Sequence, residues 1–518
     1  MNRRAFIELL GAGITLAPTK SIKNVVSQQR PDQTGSVSPF DVGSKVQLFV
    51  DGLLVRKAER VSFNLHQAQK HPGNPLLKAD RDWEGWWVQL YGNVLVDKTE
   101  RVFKMWYLAE GSRCFPSCAT LYAASTDGIY WEKPNVGTVA CTGHKRHNAV
   151  LDGCHLASVI QDNQDSDPSL RYKMICWRQT EPRGYHTFIS PDGLQWRQLS
   201  TTPIHPGGDV ITGYYDEKRK LYVAFAKRST VFRNLKRRSF DLITSDDFER
   251  WSEPKLAWLS DLQDDVGSLR RIEEVRSLLD VPDNPTKMRT EFYGIGVYPH
   301  ESCTLAFPWI FTINNNDRYA SQEGPMEVQL ASSRDLEHWD RKFRIPCVPL
   351  GEVGEWDCGM IRTQSRALRV GDEVWLYYGG FNFTHGHPVL YEPKHPGRGT
   401  KFTASIGLAK WELDRFVSAD GRAEGGTLTT VPIVFSGDRL EINARTRRDG
   451  VIQVEILDAA GRKIEETGIS DPISGDELRQ TVTWRGQPKV GFFKKRSISL
   501  RFHLKSAELY SFAFRTKS

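Results

Sequence analysis

One seven-residue pattern, Ser-x-Asp-x-x-x-Trp, occurs four times in this chain and constrains the fold more than any other feature. The copies lie at residues 125–131, 190–196, 245–251 and 333–339. Repetition at intervals of several tens of residues is typical of folds that use one small structural unit again and again. The longest interval separates the third and fourth copies. Its charge-dense stretch predicts a helical insertion at about residues 258–285.

A run of β-branched, aromatic and apolar residues precedes each copy, and such runs have the composition of β-strands. The four runs are residues 102–108, 172–177, 221–225 and 304–311, and a fifth run at residues 374–379 leads to Trp411 without the full pattern. Four-stranded units of about 40–50 residues around a ring are typical of a β-propeller. The sequence therefore predicts an all-β protein with a five-bladed β-propeller over residues 45–420.

The repeated residues themselves are expected to be structural. Ser and Asp side chains can cap a tight turn by bonding to the backbone, and Trp can fill the wedge between neighbouring sheets. After about residue 425 the pattern changes, because residues 440–444, 452–457 and 498–504 alternate apolar and polar side chains. This alternation predicts half-buried antiparallel strands. We therefore expect a C-terminal β-sandwich over residues 425–518.

Charge and hydropathy exclude two classes of partner. The net charge of +7 is spread over 518 residues, and the basic runs at residues 233–238 and 494–496 are short and separate. Nucleic-acid-binding proteins usually concentrate their positive charge, so we expect no nucleic-acid partner. No run of about 18 apolar residues follows the N-terminus, so we expect no membrane span.

The N-terminus has the pattern of an export signal. Arg3 and Arg4 are followed by Phe6 and by a weakly apolar stretch at residues 9–17, as in twin-arginine signals. An amphipathic N-terminal helix is the alternative. We expect residues 1–30 to be a signal peptide and linker, and the protein to be periplasmic or extracellular. The eight cysteines are scattered, and Cys114 and Cys118 predict a loop disulfide or two free thiols rather than a metal site.

Several segments resemble five-bladed glycoside hydrolases of families 32 and 43, and the resemblance is closest to a secreted bacterial family 32-like group. The segments are residues 48–54 (LFVDGLL), 71–75 (HPGNP), 104–107 (KMWY), 291–296 (EFYGIG) and 509–512 (LYSF). The resemblance covers nearly all of the chain after residue 45. It implies a five-bladed propeller with an appended β-sandwich, and a glycosidase active site in the central funnel of the propeller.

The resemblance also implies the roles of two carboxylates. Glu291 stands where the related families carry their general acid, and burial beside Phe292 and Tyr293 would favour the protonated form that an acid catalyst needs. Asp209 stands where those families carry an Asp that stabilises the transition state, although Gly208 replaces the Arg that precedes it there. Each carboxylate has the alternative of a structural role in a loop.

The first blade departs from the family pattern. Gln89 or Leu90 falls where an Asp nucleophile or base would stand. Glycoside hydrolysis needs a second carboxyl group besides the acid. The second carboxyl group would then be Asp82 or Glu84, reaching the funnel from a loop, or Asp357, at the strand start of the fifth blade.

Other residues are candidates for substrate binding. Trp86 and Trp87 would stack on a sugar face, or else pack the first blade. Polar and aromatic residues expected in the funnel are Gln89, Asn148, His155, Arg289, Tyr293 and His385. Arginines near one funnel would suit phosphate or a carboxylated sugar, and they include Arg289, Arg318, Arg334 and Arg362. No cofactor is expected, although the resemblance admits a structural or funnel Ca²⁺.

Three hypotheses about function follow. The first is an exported glycoside hydrolase that acts on a poly- or oligosaccharide. The second is a non-catalytic carbohydrate-binding propeller that kept the scaffold after losing the first-blade Asp. The third is a glycoside phosphorylase, which needs only one protein acid because phosphate attacks the sugar. We expect a carbohydrate ligand, and a monomer or weak dimer, in each case.

Overall fold

The computed structural model of the protein describes residues 38–516 except residues 113, 116–117, 317–321 and 388–400. The predicted signal at residues 1–30 and the candidate Arg318 lie outside the described residues. The described chain is mainly β-strand with few helices, which confirms the all-β class. It divides into two compact units, and the first, here the repeat unit, contains residues 65–282 and 289–417. The second, the terminal unit, contains the described residues before 65, residues 283–288 and the residues from 418 onward.

The first four strands of the chain belong to the terminal unit and pair with strands from the C-terminal part of the sequence. They are β1 (Phe40–Gly43), β2 (Gln47–Leu48), β3 (Val55–Glu59) and β4 (Val61–Leu65). The sequence analysis placed residues 45–64 in the propeller. The structure pairs them instead with distant strands, and such pairing leaves no local signal in the sequence.

The repeat unit begins with β5 (Gln69–Lys70) and continues with three separate antiparallel sheets. The first sheet contains β6 (Trp87–Gln89), β7 (Val94–Asp97), β8 (Val102–Glu110), β9 (Ala119–Ser125) and β10 (Ala149–Asp152). The second contains β11 (Cys154–Gln161), β12 (Tyr172–Arg178), β13 (Gly184–Ser190) and β14 (Arg197–Gln198). The third contains β15 (Ile211–Asp216), β16 (Leu221–Phe232), β17 (Leu235–Ser245) and β18 (Lys255–Trp258).

Two short helices follow the third sheet, inside the stretch where the sequence predicts a helical insertion. They are α1 (Leu262–Val266) and α2 (Ser268–Glu274). Asp261 begins α1, because its side chain accepts the backbone N–H groups of Gln263 and Asp264. Short 3-10 helices occur at Asp82–Glu84, Pro168–Leu170, Arg276–Leu278 and Lys489–Phe493. No helix in the described ranges is long and apolar enough to cross a membrane.

A parallel pairing between Met326 and Met360 links the fourth and fifth strand groups. The fourth group contains β19 (Arg289–Pro299), β20 (Thr304–Ile313), β23 (Met326–Gln329), β24 (Ala331–Ser333) and β25 (Pro346–Val348), with the hairpin β21 (Asn315–Asn316) and β22 (Gln322–Glu323) beside it. The fifth contains β26 (Met360–Thr363), β27 (Leu368–Val370), β28 (Glu373–Phe381) and β29 (Ala404–Glu412). β5 pairs with β29, so a strand from the start of the unit completes the last group.

The repeated turns are built as the sequence predicts. In the first copy the Ser125 hydroxyl accepts the N–H of Gly128 at 2.8 Å, and Asp127 Oδ1 accepts the N–H groups of Ile129 and Tyr130 at 2.8 and 2.9 Å. The same bonds recur, within 0.1 Å, in the other three copies. The structural role of the pattern is therefore confirmed.

Each repeated tryptophan packs against the sheet that precedes its own. Trp131 of the first sheet lies against Tyr377 of the fifth, with ring centroids 5.8 Å apart. Trp339 of the fourth lies 4.4 Å from Trp258 of the third. Trp411, in the fifth group without the full pattern, stacks on the fourth at a centroid distance of 5.5 Å. Aromatic rings therefore bury the interfaces between consecutive sheets.

Polar contacts link the inner strands β6, β11, β15, β19 and β26 into a closed ring. Between the first, second and third sheets, Asn93 Oδ1 accepts the N–H of Val159 at 2.9 Å, and the Ser158 hydroxyl accepts the N–H of Gly213 at 2.8 Å. The Ser158 hydroxyl also lies 3.0 Å from the hydroxyl of Ser365, in the fifth group.

The remaining contacts complete this ring. The Thr212 hydroxyl donates to the carbonyl of Ile295, which joins the third group to the fourth. The N–H of Val297 donates to the carbonyl of Ser365 at 2.9 Å, and the N–H of Ser365 donates to the carbonyl of Gly92 at 3.2 Å. All five groups therefore surround one centre.

The terminal unit is a ten-stranded sheet. Its strands are β1 to β4 with β30 (Val417–Gly421), β31 (Gly426–Thr430), β32 (Ile433–Phe435), β33 (Arg439–Asp458), β34 (Asp476–Thr481) and β35 (Ile498–Arg515). The long strands β33 and β35 pair along most of their length, with register shifts at residues 443–444 and 446–451. Their buried residues form one apolar core. The predicted β-sandwich stays a prediction.

One disulfide is present in the described chain. Cys154 and Cys176 join β11 to β12, with their Cα atoms 5.7 Å apart. Cys114 forms no disulfide with a described residue. The sequence admitted a loop disulfide or two free thiols for Cys114 and Cys118, and it gave no pairing for the other cysteines.

Candidate active site

Tyr293 lies among charged side chains near the starts of the inner strands, in a group that we call the Tyr293 cluster. The Nζ of Lys227 is 4.3 Å from the centre of its ring, and the guanidinium carbons of Arg238 and Arg362 are 5.1 and 5.0 Å away. Such distances are typical of cation–π interactions. The cluster comprises Tyr293, Lys227, Arg238, Arg289, Arg362, Asp209, Glu291 and His385. It draws on the third, fourth and fifth strand groups.

Glu291 is buried in β19 and is held by two arginines. Arg289 Nε donates to Oε1 at 2.6 Å, and a guanidinium nitrogen of Arg238 donates to Oε2 at 2.7 Å. The backbone N–H of Arg238 also donates to Oε2, at 3.1 Å. Both carboxylate oxygens therefore accept charge-assisted hydrogen bonds. The predicted general acid thus lies in the cluster, between two cations as well as beside apolar rings.

Asp209 lies just before β15 and is more accessible than Glu291. Its side chain is 28% exposed and forms an ion pair with Lys227. Its Oδ1 accepts the N–H of Val210 at 2.6 Å, whereas no described residue bonds its Oδ2. The backbone of Asp209 has a φ of +66°, in a region that non-glycine residues rarely occupy. Asp209 is therefore the more exposed of the two carboxylates.

Lys227 and His155 lie near Asp209 and are less basic than usual. Burial lowers the pKa of Lys227, and the charge of Asp209 only partly offsets this effect. Burial also lowers the pKa of His155, while Asp209 raises it and Lys227 lowers it further. His155 Nδ1 is buried and has no hydrogen-bond partner among the described residues. His155 is therefore a neutral polar group beside Asp209.

Arg362, in β26, is surrounded by aromatic rings. Besides Tyr293, its guanidinium carbon lies 5.0 Å from the ring centre of Tyr91 and 4.5 Å from that of Phe381. One of its nitrogens donates to Gln89 Oε1 at 3.1 Å. Gln89 is thus a polar neighbour of the cluster.

His385 joins the cluster through its ring. It lies 5.1 Å from the Tyr293 ring and 4.7 Å from the Phe311 ring. Burial, together with the charges of Arg238 and Arg362, holds its pKa well below the ordinary value. His385 is therefore neutral. With four cations and two carboxylates, the Tyr293 cluster carries a net charge of +2.

Glu84 and Asn148 belong to a different group of residues, inside the first sheet. Glu84 is fully buried, accepts the hydroxyl of Tyr107 at 2.7 Å and pairs with Lys133. Asn148 donates to the same hydroxyl at 2.8 Å and accepts from Trp83 at 2.8 Å. Burial and the charge of Glu84 raise the pKa of Tyr107. The polar atoms of this group bond to one another, as in a structural polar network.

The other predicted residues of the first sheet lie apart from the Tyr293 cluster. Asp82 is exposed in a 3-10 turn. Trp86 packs against Gly111, where a Cβ atom would lie 2.3 Å from its ring. Trp87 is buried and lies 5.3 Å from the ring of Phe383. The contacts of both tryptophans are those of packing residues in the first sheet.

Asp357 is buried at the start of the fifth group and is also engaged elsewhere. Its Oδ2 accepts the hydroxyl of Tyr378 at 2.9 Å and pairs with Lys70 of β5 at 2.7 Å. None of these groups belongs to the Tyr293 cluster. The structure thus brings together Asp209, Glu291, Arg289, Tyr293 and His385, with Gln89 and His155 beside them, and places the remaining candidates elsewhere.

Sequence reasoning missed Lys227 and Arg238. Both lie on the β16–β17 hairpin, whose two strands are 12 and 11 residues long and reach the centre of the repeat unit. Arg238 is in the basic run at residues 233–238, which the sequence analysis considered only as a sign of nucleic-acid binding. The signal that could have found both residues was a basic run on a long hairpin that follows Asp209 in the sequence.

No group of three or more His, Cys, Asp or Glu side chains suited to a metal ion occurs in the part of the chain that the structure describes. The expectation of no cofactor stays a prediction.

Comparisons with solved structures find only weak similarity at low identity. No protein-family model and no curated protein matches the chain. An exo-inulinase from Aspergillus awamori is 11% identical, with a TM-score of 0.39, over 87% of this chain and 98% of that one. An N-acetylgalactosamine deacetylase from F. plautii is 13% identical, with a TM-score of 0.40, over 73% of this chain and 95% of that one.

A third solved structure comes from the family 130 mannoside phosphorylases, a family that contains glycoside hydrolases targeting β-1,2-mannosidic linkages in Candida mannan. It is 10% identical, with a TM-score of 0.40, over 67% of this chain and 94% of that one. The solved structures that resemble the chain thus include glycoside hydrolases and phosphorylases. The activity of this chain has to be inferred from its own residues.

Proposed function

We propose that this protein is an exported glycoside hydrolase whose catalytic unit is a five-bladed β-propeller with the Tyr293 cluster as its active site. One observation supports this most. Lys227 and Arg238 both lie beside the ring of Tyr293, and they pair with Asp209 and Glu291, respectively. Hydrolysis of a glycosidic bond needs two carboxyl groups, one as acid and one ionised. The substrate is a poly- or oligosaccharide.

The two carboxylates take different roles in this proposal. Asp209, which pairs with Lys227 and is 28% exposed, acts on the sugar ring or on the attacking water. Glu291 serves as the acid once a substrate hydroxyl replaces Arg238 at Oε2 and a proton is taken up there. Asp357 and Glu84 stay outside the reaction, because both are buried and their partners, Lys70 and Lys133, lie outside the Tyr293 cluster.

Export is part of the same proposal. The pattern at Arg3 and Arg4 supports it, and so does the disulfide between Cys154 and Cys176, because disulfides persist mainly in oxidising compartments. Fractionation of the native host with a specific antibody tests it: the protein should be found outside the cytoplasm. Replacing Arg3 and Arg4 by Lys should retain the chain inside.

A turnover screen on a broad glycan and aryl-glycoside panel tests the activity. We expect Glu291→Gln and Asp209→Asn each to lower turnover by about 10²–10⁴-fold, since each removes a group that transfers a proton or stabilises charge. Glu337→Gln is the matched control, because Glu337 is 43% exposed and pairs only with Lys255 at the surface. Wild-type turnover in both cluster variants, with their folding verified by circular dichroism, would overturn the assignment.

A glycoside phosphorylase is the second candidate. The observation that favours it is Gln89, an uncharged amide bonded to Arg362 where a hydrolytic base would stand. Phosphate beside Arg362 would then attack the sugar in place of water. Turnover that requires phosphate would establish the phosphorylase, and equal turnover without phosphate would establish the hydrolase.

A further inference from the structure

Arg362 differs from every other buried arginine in the described residues. Five arginines are buried there: Arg237, Arg271, Arg289, Arg362 and Arg415. The other four each form an ion pair with a carboxylate. Arg362 is 6% exposed and has no acidic partner among the described residues. A buried cation without a counter-charge is costly, so a protein that keeps one usually has a use for it.

The hydrogen bonds of Arg362 leave part of its donor capacity unused. Its two described polar contacts are Gln89 Oε1 at 3.1 Å and the sulfur of Met360 at 3.7 Å, which is a weak acceptor. Its Nε is buried and bonds to nothing in the described chain. A guanidinium group presents five N–H donors in a planar fork that matches an oxyanion. Several N–H donors of Arg362 therefore have no acceptor among the described residues.

The surroundings of Arg362 reinforce the need for an anion. The rings of Tyr91, Tyr293 and Phe381 lie within 5.0 Å of its guanidinium carbon and exclude water from it. Burial lowers the pKa of Arg362 to about 9, with no nearby acid to oppose the shift. Burial acts on the pKa of Arg238 as well, but Glu291 holds that pKa above its ordinary value.

We propose that Arg362, supported by Gln89 and by the positive charge of the Tyr293 cluster, is a binding site for one oxyanion. The ligand is a carboxylate or sulfate group on an acidic sugar, or free phosphate. The three share the same chemistry, which is a negative charge spread over two or more oxygen atoms. The proposal rests on the proposed function only in taking the sugar as the carrier of the group.

Calorimetric titration of the purified protein at low ionic strength tests the site. The probes are glucuronate, inorganic sulfate and inorganic phosphate, with glucose as the neutral reference. We expect at least one anionic probe to bind and glucose not to bind. Arg362→Gln should weaken that binding by roughly 30-fold or more, since it removes one member of a buried charge pair. Arg369→Gln, whose side chain is 50% exposed, is the control and should bind like the wild type.

A second variant guards against misfolding of Arg362→Gln. Gln89→Glu keeps the size of the side chain and places a carboxylate where the amide oxygen now lies, 3.1 Å from Arg362. This internal acid should neutralise Arg362 and weaken binding by a similar factor. Absence of binding by all three anions, or equal binding by wild type and both variants, would overturn the proposal.

Turnover measurements distinguish the possible sources of the oxyanion. They also distinguish failure of the oxyanion site from failure of the proposed function. Binding of phosphate together with phosphate-dependent turnover identifies free phosphate as the ligand. Binding of glucuronate or sulfate together with turnover of acidic glycans identifies a group on the sugar. Oxyanion binding without turnover of any glycan keeps the site and defeats the hydrolase. If no anion binds, and turnover of neutral glycans is the same in Arg362→Gln as in the wild type, the hydrolase proposal stands and the oxyanion site is refuted.

Discussion

Phe248 and Leu336 occupy turn positions that favour glycine. They are the fourth residues of the third and fourth copies of the repeated pattern, with φ values of +67° and +71°. The first two copies have Gly128 and Gly193 at this position. A bulky residue with positive φ is strained, and the strain persists only where other interactions offset it. Both side chains are buried, so burial of apolar surface stabilises these two turns against their backbone conformation.

His300 makes stability depend on pH. Burial alone would lower the pKa of His300, but its hydrogen bonds to Asp414, at 3.1 Å, and to Cys303 raise the pKa to about 9. The folded state therefore binds the imidazole proton more tightly than the unfolded state, whose pKa is near 6.5. The resulting stabilisation is complete below pH 6.5 and is lost as the pH rises through 9, by about 3 kcal/mol at most.

Urea unfolding at pH values between 6 and 9 measures this loss. The His300→Gln variant should show a flatter profile over that window. His338 forms a comparable pair with Asp335 but is exposed, so His338→Gln should leave the wild-type profile unchanged. An identical slope in wild type and His300→Gln would refute the assignment.

Helices α1 and α2 are fixed to the third and fourth strand groups by buried charges. Asp264 is 1% exposed and accepts two hydrogen bonds from Arg341, both at 2.7 Å, and one from Arg344 at 2.8 Å. Arg237 holds the adjacent Asp265 in the same way, at 2.7 and 2.9 Å. The short helices are too small to be stable alone, so these ion pairs and their packing determine where they lie.

Removing the charge of Asp264 should loosen this insertion. We expect Asp264→Asn to lower the free energy of unfolding by about 3–5 kcal/mol, because it leaves Arg341 without a counter-charge. Glu273→Gln, on the same insertion but 58% exposed, should cost less than about 1 kcal/mol. Equal melting temperatures for the two variants would show that the buried pair contributes little.

At the scale of the whole repeat unit, Ser158 lies where four strand groups meet. Its hydroxyl contacts Gly213 and Ser365, while the next residue, Val159, donates to Asn93. Ser158→Ala would leave the buried N–H of Gly213 without an acceptor. We expect a loss of about 1–3 kcal/mol in chemical denaturation.

Ser252→Ala is the control for Ser158→Ala, because Ser252 is exposed and bonds within its own sheet. A change in Ser158→Ala no larger than in this control would argue against a special role for the ring of contacts.

Sequence predicted the parts of this fold that depend on local chemistry. The turn of Ser125 and Asp127 is built from side chains bonded to neighbouring backbone, so seven residues suffice to specify it. Glu291 and Asp209 were found because they lie beside strand starts. The burial of Glu84 against Lys133 was not visible, because the partner is 49 residues away. The same reason hid the pairing of Arg238 with Glu291, 53 residues apart.

The strand β5 has a consequence for synthesis of the chain on the ribosome. It pairs with β29 across roughly 340 residues of sequence, so the fifth group lacks its last strand until nearly the whole repeat unit has emerged. Until β29 emerges, β5 has no partner and β28 presents an unpaired edge, which can recruit other chains. A nascent chain arrested before residue 404 should therefore bind chaperones, and completion of β29 should release them.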